Sequence, residues 1–216
     1  CRGSWSLCTL GTDMGAQVCD TLLLKTSSPY PPGSVKRWHE TMADSPWADA
    51  RVQSVATAKA ENGQPLYYVY LHAASPQEAT HLDCRDFEQR WHALTGHSAE
   101  VSRLREVLRC PGASFGQTAG VHYVVETDTD AGWETEIFNW YDQEHMPGLA
   151  TVPGCILARR LLNLDHAPRS YACYDLVTRD TLGSPPWLAV RGTAWSDKCR
   201  PHFTNTFRTL FEQPNA

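Results

Sequence analysis

The order of expected strands and helices occurs twice along the chain, and this repeat constrains the fold more than any other feature. Each half shows apolar periodicities typical of a strand, a helix, two strands, a second helix and a last strand. In the first half, strands are expected at 19–25, 52–58, 66–72 and 100–109, with helices that begin at Ser34 and Ser75. In the second half, strands are expected at 121–127, 155–162, 171–177 and 202–211, with helices over 133–145 and 187–197.

A segment rich in glycine, serine and alanine separates the two halves. We expect an N-terminal extension at 1–17, a first ferredoxin-like unit at 18–110, a linker at 111–119 and a second unit at 120–213. A βαββαβ unit forms an antiparallel sheet with both helices on one face, so its other face needs cover. The sequence therefore predicts an α+β fold in which two tandem ferredoxin-like βαββαβ units form one intramolecular α+β barrel. A ligand would sit between the two sheets.

Charge and hydropathy exclude several classes of partner. Acidic residues outnumber basic residues by 24 to 19, the net charge is −5 and no basic run occurs, so we expect no nucleic acid partner. The longest apolar stretches fall far short of the roughly 20 residues that span a bilayer, so we expect no membrane partner. Residues 1–15 lack the apolar core of a secretory signal, which favours a cytoplasmic protein. A small-molecule substrate is expected, and a homo-oligomer is left open.

Cysteine usage favours reduced thiols. The chain has 8 cysteines, but they are widely scattered in a chain that can bury a sizeable core. No Cys-x-x-Cys pair occurs, and the cysteines and histidines do not show the spacing of a structural zinc site. We therefore expect no metal.

The second half carries a motif that resembles a known superfamily. Residues 140–147 read Trp-Tyr-Asp-Gln-Glu-His-Met-Pro, followed by Pro-Gly at 153–154 and two arginines at 159–160. This resembles the W-Y-x-x-x-H-x-P … P-G-x-x-x-x-R pattern of dimeric α+β barrel proteins of the EthD type. The resemblance covers residues 120–212 well and residues 18–110 only by the order of elements.

The resemblance implies ferredoxin-like units that pair into a barrel. Its superfamily includes cofactor-free isomerases, cyclases and dehydratases, small monooxygenases and some haem enzymes. The first half departs from the motif, since residues 42–46 read Met-Ala-Asp-Ser-Pro and contain no histidine. We therefore expect one site, in the second half, and a degenerate first unit.

His145 is the main candidate catalytic residue. It is expected at the end of a helix that Pro147 terminates, and the ordinary histidine pKa near 6.5 suits proton transfer at neutral pH. Asp142 and Tyr141 precede it by three and four positions, which is the spacing of one helical face. The alternative is a structural cation at a helix C-terminus, stabilised by the helix dipole and by Asp142 or Glu144.

These residues predict a cofactor-independent enzyme that performs proton-transfer chemistry of the isomerase, dehydratase or lyase type. His145 would abstract or deliver a proton, and Asp142 or Glu144 would set its tautomer. Tyr141, with Arg159 or Arg160, would hold the oxyanion of a small organic substrate, with aromatic-derived compounds among the candidates. A non-catalytic ligand-binding or assembly protein and a small monooxygenase are the alternatives. No cofactor is expected, although haem could use His145 or His122 as an axial ligand.

Aromatic and polar residues near the motif are candidates for substrate contact. Trp140 fits core packing or ligand stacking. Alternation along a strand puts Tyr171 and Tyr174 on opposite faces, so only one of them can face a pocket. His122 and Glu126 share a face, where they form an acid-base pair if it borders the pocket and a partly exposed pair if it borders the helices. The candidate substrate-contacting residues are therefore Trp140, Glu144, Arg159, Arg160, His122, Glu126, Tyr171 and Tyr174.

Overall fold

The computed structural model of the chain describes residues 18–57, 65–78 and 83–213. The expected extension at 1–17 lies outside these residues. The strands within them are β1 (Val18–Thr26), β2 (Arg51–Ala56), β3 (Tyr67–Glu78), β4 (Glu100–Pro111), β5 (Val121–Thr129), β6 (Cys155–Asn163), β7 (Ser170–Leu176) and β8 (Phe203–Glu212). The α-helices are α1 (Ser34–Glu40), α2 (Cys84–Thr95), α3 (Glu134–Trp140), α4 (Met146–Ala150), α5 (Pro185–Arg191) and α6 (Ala194–Cys199). None of the helices in the described ranges combines the length and apolar character needed to cross a bilayer.

These elements form two compact units. The N-terminal unit contains the described residues up to Glu106 together with Asn163–His166. The C-terminal unit contains Val107–Leu162 and the described residues from Ala167 onward. The unit boundaries expected from the linker at 111–119 stay a prediction.

Each unit contains a four-stranded antiparallel sheet with the same strand order. In the N-terminal unit, β1 pairs with β3 and β4, and β2 pairs with β3, which gives the order β4-β1-β3-β2. In the C-terminal unit, β5 pairs with β7 and β8, and β6 pairs with β7, which gives β8-β5-β7-β6. Both orders are those of a split βαβ, ferredoxin-like sheet, so the α+β prediction is confirmed. An internal duplication and the joining of the two sheets into one barrel stay predictions.

Tryptophans from both helices build the core of the N-terminal unit. Trp38 of α1 and Trp91 of α2 are fully buried, and their rings meet edge to face with centroids 5.9 Å apart. They belong to one apolar cluster with Leu22 and Leu24, which share a face of β1 because side chains alternate along a strand. The helices therefore cover one face of this sheet.

Two helices differ from the expectations drawn from the sequence. The helix expected from Ser75 begins at Cys84, because β3 continues to Glu78 and pairs there with Val18 of β1. The helix expected over 187–197 is divided into α5 and α6, because the Thr193 hydroxyl accepts a hydrogen bond from the Ser196 backbone N–H at 3.1 Å and starts a new helix.

The helix that carries the motif does not end at Pro147, contrary to expectation. α3 passes into a π-helical turn, Tyr141–His145, and then into α4. The Met146 N–H donates to the Tyr141 carbonyl, and this spacing of five residues defines a π turn. Pro147 lies in the first turn of α4, where the missing backbone N–H of proline is tolerated. His145 therefore lies inside a continuous helical segment and not at a helix C-terminus.

The two faces of the C-terminal sheet differ in chemistry. Tyr123, Val125 and Tyr174 pack on the apolar cluster that α3, α4 and α5 form with the sheet. His122 and Asp175 are opposite each other in neighbouring strands, one position along from Tyr123 and Tyr174, so they lie on the face away from the helices. The sheet thus separates an aromatic layer from a polar one.

The described cysteines form no disulfide bonds with one another. Among the described residues, no disulfide joins Cys19, Cys84, Cys110, Cys155, Cys173 and Cys199, while Cys1 and Cys8 lie outside them. Burial raises the pKa of Cys155 to about 12, and burial likewise raises the pKa of Cys19 and of Cys84 to about 12. These thiols therefore stay protonated and are poor nucleophiles.

A tight glycine just before β6 gives a first test of the fold. Gly154 has φ +94°, and a Cβ there would lie 2.4 Å from the Thr181 Oγ1. We expect Gly154→Ala to lower the free energy of unfolding by about 2–3 kcal/mol, from backbone strain and overpacking, in urea denaturation. Gly132→Ala is the matched control, since Gly132 has φ +83° with nothing within 4 Å of its added Cβ. It should cost only about 1 kcal/mol, the strain alone. Equal losses in the two variants would contradict this packing.

Candidate functional site

A recess in the C-terminal unit lies between the sheet and its helices. The space in and in front of this recess is about 400 Å³, open solvent included. Half of its lining residues are aromatic, namely Tyr123, Trp140, Tyr141, Tyr174, Trp187 and Phe203. Its ionisable basic groups are His145, Arg191, Arg200 and Arg208. This recess lies on the helix face of the sheet. The pocket expected between the two sheets stays a prediction.

His145 is buried in this recess without a hydrogen-bond partner. Its ring stacks on Trp140, with centroids 4.2 Å apart and planes at 25°. The two residues are five positions apart, and the π turn places residues at this spacing over each other. His145 is 8% exposed, and neither ring nitrogen forms a hydrogen bond with another described residue. A buried nitrogen of this kind costs about 1–3 kcal/mol unless water or a ligand satisfies it.

Burial and charge keep His145 neutral and the phenols protonated. Burial, followed by the charges of Arg191 and Arg200, lowers the pKa of His145 to about 3. Burial raises the pKa of Tyr141 and of Tyr174 well above the ordinary tyrosine value. At neutral pH the recess therefore holds an uncharged imidazole beside hydroxyl groups that can donate hydrogen bonds. The Tyr174 hydroxyl has no protein partner. The alternative of a structural His145 cation is wrong.

The low pKa of His145 makes the stability of the fold depend on pH. In the unfolded chain His145 binds a proton below about pH 6.5, whereas in the folded protein its pKa is about 3. Its contribution to stability is therefore complete above pH 6.5 and is lost as the pH falls toward 3. Between pH 7 and pH 4.5 we expect the wild type to lose about 2 kcal/mol more than His145→Gln in urea denaturation. Parallel pH dependences in the two proteins would show that His145 is not buried in its neutral form.

The carboxylates near His145 in sequence are engaged elsewhere. Asp142 accepts two hydrogen bonds from Arg160, at 2.8 and 2.7 Å. Glu144 accepts a hydrogen bond from the Thr193 hydroxyl at 2.6 Å. The expectation that one of them sets the tautomer of His145 is therefore wrong. In an α-helix Asp142 would share a face with His145, but the wider π turn places the two side chains on different faces.

Arg159 and Arg160, the arginines expected to hold an oxyanion, do not line the recess. Arg160 is 3% exposed, pairs with Asp142 and lies over the Phe138 ring at 4.4 Å. Arg159 is 1% exposed, and its guanidinium lies 3.8 Å from the Asp175 carboxylate. Both arginines are held by carboxylates inside the unit, so neither is available to the recess.

His122, Glu126 and Tyr171 also lie away from the recess. They share the sheet face that points away from the helices, and all three are buried. The His122 Nδ1 lies 2.7 Å from an Asp175 oxygen, so Asp175 is a carboxylate partner of His122. Of the two tyrosines on β7, Tyr174 is the one in the recess, as is Trp140 of the motif.

Three arginines in the recess were not found from the sequence. Arg191 ends α5, Arg200 directly follows α6, and Arg208 lies in β8. Arg208 pairs in register with Val125, which also lines the recess. Arg208 could have been found from the sequence. The first and fourth strands of a ferredoxin-like sheet are neighbours, so alternation along β5 indicates which residues of β8 share its helix-facing side. Arg191 and Arg200 follow helix ends, and no periodic pattern marks them.

Solved structures share the fold of this chain at low sequence identity. A candidate monooxygenase from Fusobacterium nucleatum matches with a TM-score of 0.57 and 11% identity, over 93% of this chain and 94% of that one. A candidate monooxygenase from Lactobacillus acidophilus matches with a TM-score of 0.53 and 11% identity, over 92% and 94%. A mutant chlorite dismutase from Candidatus Nitrospira defluvii matches with a TM-score of 0.52 and 9% identity, over 93% and 92%.

At these identities the likeness shows the fold alone, since one fold hosts many functions. No protein-family model matches the chain, and no curated protein matches it in sequence. The EthD-type resemblance of residues 140–160 therefore stays a prediction.

His145 and His122 are the two histidines that the sequence offers as axial ligands of a haem. A histidine that ligates a metal usually donates its other ring N–H to a carboxylate or a carbonyl. His145 faces the recess but lacks such a partner, and His122 has Asp175 as a partner but is fully buried on the other sheet face. Neither of these two histidines combines both features. In the described part of the chain, no three His, Cys, Asp or Glu side chains are grouped so as to hold a metal ion.

Proposed function

We propose that the recess is the active site of a cofactor-independent enzyme that performs proton-transfer chemistry on a small, aromatic-derived substrate. The observation that carries this proposal is His145, a buried neutral imidazole without a protein hydrogen-bond partner, in a recess with aromatic walls. Imidazole is the most common general base in enzymes, and an aromatic substrate can stack where Trp140 and Phe203 border the space.

The charges around His145 favour transfer of a proton from the substrate over uptake of a proton from water. A proton taken from water leaves an imidazolium beside Arg191 and Arg200, which the low pKa of His145 disfavours. A proton taken from a carbon atom next to a carbonyl leaves an enolate oxygen in the same recess. The enolate offsets the new positive charge, and the arginines stabilise it. Proton abstraction and oxyanion formation are thus coupled by electrostatics.

Tyr141 is the hydrogen-bond donor in this proposal. Its phenol is 2% exposed and keeps its proton because burial raises its pKa. A buried hydroxyl that is fixed before the reaction stabilises a developing oxyanion without reorganisation. Arg191, Arg200 and Arg208 take the part that the sequence assigned to Arg159 or Arg160.

Exchange of carbon-bound hydrogen in deuterated water tests the proposal. The protein is incubated without oxygen with a panel of small aromatic ketones, phenols and ring-cleavage-type enols, and loss of C–H signal is followed by NMR. A proton-transfer enzyme exchanges the hydrogen next to the carbonyl even when the overall equilibrium lies with the substrate. We expect protein-dependent exchange with at least one compound and its loss in His145→Gln. Exchange that persists in His145→Gln would move the reaction away from this residue.

A small monooxygenase is the second candidate function. It is favoured by the aromatic recess together with the fold shared with candidate monooxygenases from two bacteria. The same panel in air, followed with an oxygen electrode, separates the two functions. Substrate-dependent oxygen uptake without anaerobic exchange supports the monooxygenase. Ligand binding without either reaction supports the non-catalytic alternative. The cytoplasmic location and the homo-oligomer stay predictions.

A further inference from the structure

We propose that the ligand of the recess is an aromatic molecule with a permanent negative charge, such as a carboxylate, held by Arg191, Arg200 and Arg208. This inference rests on the site of the proposed function and names the class of its substrate. A transient enolate needs one or two donors, whereas three guanidinium groups reach this recess. The remaining positive charge calls for an anion that is present before the reaction starts.

The three arginines lack the carboxylate partners that other arginines of the same unit have. Arg159 and Arg160 each contact an aspartate. The guanidinium groups of Arg191, Arg200 and Arg208, by contrast, form no ion pair or hydrogen bond with a described residue. The recess itself has no aspartate or glutamate among the described residues that line it. The unit thus places carboxylates beside the buried Arg159 and Arg160, whereas the partly exposed Arg191 and Arg200 and the exposed Arg208 are available to an anionic ligand.

The positive charges converge on one place. They come from three separate elements, the end of α5, the turn after α6, and β8. All three arginines act on the same phenol, that of Tyr123. Burial raises the pKa of Tyr123, and the charges of Arg208, Arg191 and Arg200 partly oppose this increase. Three like charges repel one another, and a carboxylate placed between them relieves this repulsion. Guanidinium groups also bind carboxylates through two parallel hydrogen bonds, which fixes the orientation of a ligand.

A second, independent observation points to a ligand in the same space. The Tyr174 hydroxyl and the His145 Nδ1 are buried without hydrogen-bond partners, and both residues line the recess. Trp140 and Trp187 line the same recess and make part of its wall aromatic. A molecule with an aromatic ring and one anionic end matches the flat walls, the hydroxyl and the guanidinium groups together.

Calorimetry with a charged probe and its neutral isostere tests this inference. The probes are 2-naphthoate and 2-naphthamide, which have the same ring and nearly the same shape. We expect 2-naphthoate to bind at least tenfold more tightly than 2-naphthamide. Arg191→Gln and Arg200→Gln should each weaken 2-naphthoate binding about tenfold to a hundredfold, the loss of one charge-assisted hydrogen bond, and weaken 2-naphthamide binding much less. Arg179→Gln is the matched control, because Arg179 is exposed and does not line the recess.

The outcomes separate this inference from the proposed function. The inference is overturned if 2-naphthoate does not bind or if the two probes bind equally well. It is also overturned if Arg179→Gln weakens binding as much as the recess variants do. If a recess variant does not fold, the wild-type preference for 2-naphthoate and its loss at high salt decide the matter. Binding can be measured without turnover. If 2-naphthoate is preferred but no compound of the panel shows proton exchange, the ligand class is supported and the proposed reaction is rejected.

Discussion

His145→Ala is expected to reduce the rate of protein-catalysed proton exchange by about 10²–10⁴-fold, the range that a positioned general base contributes. The imidazole acts on the barrier, because it is unprotonated at neutral pH and can take a proton from a bound substrate, whereas the phenols of the described recess residues stay protonated. The free energy of unfolding at pH 7 should change by only about 1–2 kcal/mol. His145→Gln, which fills more of the space, separates lost chemistry from lost packing.

Exchange kinetics and urea denaturation on the same samples check this prediction. His92→Ala is the control, since His92 is exposed on α2 in the N-terminal unit, and it should keep the wild-type rate. If His145→Ala unfolds the protein while His145→Gln keeps the full rate, the residue is structural and the base must be sought elsewhere.

Asp142→Ala is expected to lower the free energy of unfolding by about 3 kcal/mol, the size typical of a broken buried ion pair. The Arg160 guanidinium is 4% exposed and makes both of its bonds to Asp142 from Nε and Nη2, while Nη1 already lacks a partner. Removal of the carboxylate leaves a buried charge with no compensation. The exchange rate per folded molecule should change less than tenfold, because Asp142 does not contact His145.

Two further variants complete this test. Asp180→Ala removes an exposed carboxylate from the same unit and should cost less than about 0.5 kcal/mol. The double variant Asp142→Leu with Arg160→Met replaces the pair by apolar groups and should recover most of the lost stability. If Asp142→Ala instead reduced the exchange rate as strongly as His145→Ala at unchanged stability, Asp142 would be part of the catalytic machinery, as the sequence suggested.

The strand order could be predicted because it depends on long-range repetition. The alternation over 121–127, the strand expected over 171–177 and the two matching sets of elements indicate a ferredoxin-like sheet in each half. The same alternation correctly separates Tyr171 from Tyr174. Helix boundaries were less accessible, because the extension of β3 through Ser75 depends on its partner strand β1 and not on its own residues.

The environment of His145 could not be predicted for a local reason. The spacing of Ile137, Trp140 and Tyr141 fits an α-helix, and nothing in the pattern reveals that the next turn is a π turn. The change rotates each following side chain, which brings Trp140 under His145 and sends Asp142 to Arg160. The sequence therefore pointed to His145, which lines the recess, but not to the residues that contact it.

The Thr193 hydroxyl bonds to two segments at once. It donates to Glu144 in the π turn and accepts from the Ser196 N–H in the first turn of α6, the helix that Arg200 follows. One small side chain therefore links the segment that carries His145 to the segment that Arg200 follows. Substitutions at Thr193, which does not line the recess, offer a way to adjust the distance between these two groups without altering either of them.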